Sequence, residues 1–321
     1  MQRFATLAVA VMFILGAGTA QAGTITTITG TTGSGSHDTW NVVDNWDAGV
    51  PDGPFEAVVA AGVTAECWND ATPTYDGPLT LLDNSTLQMG WTTNYPASVN
   101  ALGQSGVTMN SGSQIRLRLP FTVNLQTLTL AGNALIDLSP STSAHHRTRN
   151  FNGTVAGTGT LTILGNNNNT VNLNAASPGW SGGLIANVVD GWQLYAKAAG
   201  CFGTGDVTIN ARAANDRGAS LFINAADAIA DTATLYLNGP KSNRVSNKLT
   251  LNADETVAGF WLDGVQMAAG TYDSTSGLTD VLGNPLIGGT GTLTVLPEPA
   301  TLALLSIGGL GLAIRRRRVR G

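Results

Sequence analysis

The chain has 321 residues, of which 43% are hydrophobic and only 12% charged, with 40 glycines and a net charge of −5. That balance excludes a disordered polymer and suits one or two domains rich in strands and turns. Residues 1–22 and 297–321 hold six arginines against one acidic residue, Glu298, so the body between them carries −10. A body of that sign repels phosphate backbones, which argues against nucleic acid as a partner.

Residues 1–22 read as a secretory signal. Arg3 supplies the positive start, "FATLAVAVMFILGAG" the apolar stretch, and Ala20-Gln21-Ala22 a small-residue cleavage site before Gly23. The expected handler is the Sec export machinery. Export makes a disulfide between Cys67 and Cys201 chemically available, but nothing in the chain order shows that the two meet. Neither lies in a CxxC or Cys/His metal spacing.

The body opens with "TITTITGTTGSGS" at 24–36, β-prone and then rich in Gly and Ser. "HDTWNVVDNWDAGVPDGPFEAVVAAG" follows and reads as strand, turn, strand. From Leu79 an aliphatic–Thr–aliphatic triplet recurs, starting at Leu79, Val107, Leu128, Leu161, Val207, Leu249 and Leu293. Alternation at period two puts the aliphatics on one face and Thr on the other, as in a half-buried strand. The intervals are 28, 21, 33, 46, 42 and 44 residues, several of them near one or two coils of a solenoid. "ADAIADTATLYLNG" has room for one helical turn near Ala225–Ala230; no longer helical period is visible. A β-sandwich is the alternative all-β architecture.

"FNGTVAGTGTLTILGNNNNTVNLNAASPGWSGGLIA" resembles an autotransporter-associated β-strand repeat, with Gly157, Gly159 and Leu161 matching its G-x-G-x-L part and Trp180-Ser181-Gly182-Gly183 its turn. "WNVVDNWDAGVPDGP" is similar to the opening segment of such passenger-like proteins, and "FWLDGVQMAAGTYDSTSG" with "IGGTGTLTV" to their closing segment. The resemblance implies a right-handed parallel β-helix or solenoid without catalytic residues. The expected division is a signal at 1–22, an N-terminal β cap at 23–78, a repeat body at 79–296 and a sorting segment at 297–321.

That last segment resembles the PEP-CTERM sorting signal: Pro297-Glu298-Pro299, an apolar run from Thr301 to Ile314, then Arg315, Arg316, Arg317 and Arg318. The run has fourteen residues, short against the roughly 20 of a full crossing, and Gly308, Gly309 and Gly311 weaken it as a helix. The arginines stay cytoplasmic and stop transfer. The prolines keep the preceding backbone extended and within reach of a processing enzyme. The resemblance implies an exosortase as partner, a transient anchor through 301–314, and association with exopolysaccharide.

For chemistry the sequence offers little. His145-His146-Arg147-Thr148-Arg149 reads as a solvated loop, since adjacent histidines on an extended chain point apart. Asp38, Asp44, Asp47 and Asp52 read as turn aspartates without Ca²⁺-loop spacing. No G-x-S-x-G elbow or phosphate loop occurs, and the lysines and arginines of the body look scattered. Trp40 and Trp46 suit the N-terminal cap; Trp91, beside Tyr95, is the expected carbohydrate contact. No catalytic residue, cofactor or metal is expected. The reading is a non-enzymatic exported surface or matrix protein, with a glycan-binding adhesin and a lyase-type β-helix enzyme as the alternatives.

Overall fold

The computed structural model describes residues 25–28, 45, 47, 56–67, 77–89, 98–102, 105–117, 122–138, 147–165, 169–188, 191–211, 219–239, 248–279 and 283–298. They form a parallel β-solenoid. The chain passes sheets I, II and III in that order, coil after coil up to Val155–Gly157, and then sheets II and III, with parallel pairing between successive coils. Sheet I holds six strands, from Ile25–Ile28 to Val155–Gly157. Sheet II holds ten, beginning at Thr64–Cys67, and sheet III eight, from Ser98–Leu102 to Ile287–Gly289. Parallel pairing excludes the sandwich, whose sheets are antiparallel.

The triplets become strands because one face of each is buried. Leu79–Leu81, Val107–Met109 and Leu128–Leu130 turn their aliphatics inward and leave the central Thr half-buried outside. They are direct partners in sheet I, so the intervals of 28 and 21 are true coil lengths. The interval of 46 is two coils, because Leu184 pairs with both Leu161 and Val207 in sheet II. The intervals of 33, 42 and 44 change face, since Leu249 lies in sheet III and Leu293 in a fourth, three-stranded sheet.

Coil length varies at one corner. Between sheets I and II only three or four residues intervene, as in 60–63, 82–85 and 158–160. Before the closing rung, the gap between sheets II and III runs from three residues (166–168) to nine (239–247). The short corner is held by glycine. Gly157 takes φ +105 and packs on the Leu130 carbonyl, while Gly159 and Gly182 stack so closely that a Cβ on either would strike the carbonyl of the coil below. The two halves of the repeat resemblance, around Gly159 and Gly182, are thus one corner in successive coils.

After Val155–Gly157, sheet I gives way to turns. The bridge Gly157↔Trp180 continues it, and Trp180 is fully buried with its Nε1 donating to Gly159 O at 3.0 Å. The segment 225–230 is a turn with Asp227 at φ 53, not a helical turn. Glu255–Val257 and Leu293–Val295 then take the first-face position. The strands of the expected cap, Ile25–Ile28 and Glu56–Val59, join sheet I beside Leu79–Leu81. Six coil steps separate Cys67 from Cys201, about 29 Å at roughly 4.8 Å per step, far beyond disulfide reach. Cys201 is a free, buried thiol, which burial pushes up to about 12.

Candidate functional site at the C-terminal rung

The last rung closes the solenoid with two antiparallel pairs. Val265–Gln266 folds back on Gly259–Leu262, and Gly270–Tyr272 pairs with Leu293–Val295. The chain then leaves the body under restraint. Leu296 N donates to Val257 O at 2.9 Å, and Gln266 Nε2 donates to Glu298 Oε1 at 2.9 Å. Leu296, Pro297 and Glu298 are exposed. Val265 and Leu296, the exposed large hydrophobics among the described residues, both lie here. The sorting triplet therefore begins directly after Leu296, which is pinned to Val257 of the strand Glu255–Val257.

Beneath this rung sits Glu255, 2% exposed. Its Oε2 accepts from Ala228 N at 2.9 Å and Ile229 N at 3.3 Å, and its Oε1 from Thr256 N at 3.2 Å. The turn at 227–230 belongs to no sheet, and two of its backbone N–H groups are taken up by this carboxylate from the coil above. Burial raises its carboxyl to about 7, with the backbone donors opposing that shift. The group is enclosed and bonded to the backbone, so it acts on the fold. Sequence reading missed it because a lone Glu in "NADETVAG" looks like a polar turn.

Residues 147–151 form a strand of sheet III, not a solvated loop. Arg149 is 1% exposed and is in register with Val123 and Val171 of the neighbouring strands, with its NH1 donating to Thr148 O at 3.2 Å. The alternation Arg-Thr-Arg-Asn-Phe, with Phe151 inward, was the available signal. His145 and His146 lie outside the described residues. So do Trp40, Trp46, Trp91, Tyr95, Asp38, Asp44 and Asp52, together with Ala20, Ala22, Gly23, Pro299 and Arg315–Arg318. Asp47 is an exposed turn residue whose Oδ1 accepts from Thr27 N.

Arg116 lies in the sheet II strand Gln114–Leu117, and Arg147, Arg149, Lys197 and Lys248 lie in or next to strands of sheet III. Arg118, Arg212, Arg217, Lys241 and Arg244 lie outside the described residues. These ten are all the lysines and arginines of residues 23–296. Arg116 is held by Asp137 at 3.3 Å and by the side chain of Gln88, whose amide in turn donates to Glu66.

Among the described residues no group of three or more His, Cys, Asp or Glu is placed to hold a metal, and no helix is long and apolar enough to cross a membrane. No curated protein and no solved structure matches the chain. Residues 295–318 match the PEP-CTERM protein-sorting motif, and a motif of this kind marks an exported, envelope-sorted protein handled by an exosortase.

Proposed function

We propose that the chain is a non-enzymatic structural protein of the cell surface or extracellular matrix, associated with exopolysaccharide. The observation that carries this reading is the sorting motif at 295–318, which starts on the last residue of the last strand. In this account the signal at 1–22 directs Sec export and is removed before Gly23. The run 301–314 holds the protein briefly in the membrane, with Arg315–Arg318 on the cytoplasmic side. An exosortase then releases the body at the triplet.

The body's contribution is presentation rather than reaction. Its outer side chains bond one another from coil to coil: Asn150 to Asn124, Asn172 to Asn150, Asn210 to Asn187 and Asn238 to Asn210. Such ladders favour a stiff, hydrated rod. The test is to replace Pro297 and Glu298 with alanine in the producing cell. Accumulation of a longer, membrane-retained form is expected; unchanged release would overturn the sorting role.

A further inference from the structure

Sheet III differs in charge from the rest of the solenoid. None of its eight strands contains Asp or Glu, although the body as a whole is acidic. The exposed Lys197 and Lys248 stand on it. The corner leading into it is where coil length varies, and in solenoids such insertions gather on the binding face.

Its surface is also regular. Asn174 Nδ2 donates to Asn152 Oδ1 and Asn252 Nδ2 to Asn224 Oδ1, both at 2.8 Å. Lys197 lies between these pairs in the same column, since its N bonds to Leu173 O as Asn224 N bonds to Ala196 O. All five are exposed and recur once per coil, at about 4.8 Å. Each ladder amide uses one N–H and keeps a second for a ligand. Beside them Tyr195 and Phe222 stack at 4.3 Å and 8°, so their ring faces meet each other and stiffen the sheet.

We propose that sheet III binds a linear acidic polysaccharide laid along the solenoid axis, with Asn152, Asn174, Lys197, Asn224 and Asn252, the residues that directly follow its strands, as the contact column along its edge. Amide donors at one per coil suit a polymer of hydroxyl- and carboxylate-bearing rings. The lysines supply attraction on a face without carboxylate strands, and the acidic remainder of the body disfavours other placements. The inference rests on the exported reading, because export is what brings this face to extracellular polysaccharide.

The experiment uses the full chain purified in detergent, with polygalacturonate as probe, dextran as uncharged control and duplex DNA as a second polyanion. Binding of polygalacturonate is expected, falling with added salt and roughly tenfold weaker in K197E/K248E with an unchanged thermal midpoint. Lys197→Gln gives a smaller loss in the same direction, and Asp83→Asn, at the exposed corner between sheets I and II, none. No polygalacturonate binding at low salt, or equal affinity in K197E/K248E and Lys197→Gln, would overturn the proposal. So would DNA binding of equal strength and equal sensitivity to the variants. Processing at the triplet is read separately from the C-terminal mass in cells, so either idea can fail alone.

Discussion

Gln266 Nε2 donates to Glu298 Oε1 at 2.9 Å, tying the acidic residue of the sorting triplet to the hairpin of the last rung. The label is thus continuous with the folded body. An enzyme that reads Glu298 must first break this contact.

Gln266→Ala should free the segment without disturbing the coil beneath. An exposed hydrogen bond of this kind contributes about 0.5–1 kcal/mol. Exchange of the 297–298 region or its cleavage by an added protease should rise about threefold, with global stability almost unchanged. Equal protection in the variant would show that the contact does not restrain the triplet.

Glu255 sets a pH dependence of definite sign. Its carboxyl is raised from 4.5 to about 7, so between those values the unfolded chain releases a proton that the folded chain retains. Stability therefore falls as pH rises from about 4.5 to about 7, by on the order of 2 kcal/mol from this group. Glu255→Gln keeps an acceptor for Ala228 and Ile229 and should flatten that slope in denaturant titrations at pH 5 and pH 8. An unchanged slope would contradict the assignment.

Glycine at the short corner is a matter of space. Gly182→Ala places a methyl against the Gly159 carbonyl and should cost about 2–3 kcal/mol. Gly288→Ala, whose Cβ would meet nothing within 4 Å, should cost less than about 0.5 kcal/mol. Equal thermal midpoints for the two variants would show that the corner relaxes freely.

A similar contrast applies at Gly165, where a Cβ would lie 2.6 Å from Trp192 Nε1. Trp192 is fully buried, so the indole has little room to move. Gly165→Ala should lower stability by about 1–3 kcal/mol. Near-ultraviolet circular dichroism of the tryptophans should change with it, and an unaltered spectrum at full stability would refute the packing.

The strands were legible in the sequence because burial follows alternation. Leu128-Thr129-Leu130 and Leu161-Thr162-Ile163 need only a period of two to be recognised. Register was not legible, because the same triplet serves all faces, and Leu128 pairs with Val155 rather than Leu161. Charge density misled at Arg147–Arg149, where alternation sends Arg149 inward although its composition suggests solvent. Glu255 gains its meaning from Ala228 and Ile229, more than twenty residues earlier and one coil away.

The most direct test of the sorting account is the intact mass of the protein released from the producing cell. The account predicts a chain that begins at Gly23 and ends within or next to Pro297–Pro299, without the run 301–314 and Arg315–Arg318. A released or surface-held protein that still carries those residues would contradict it.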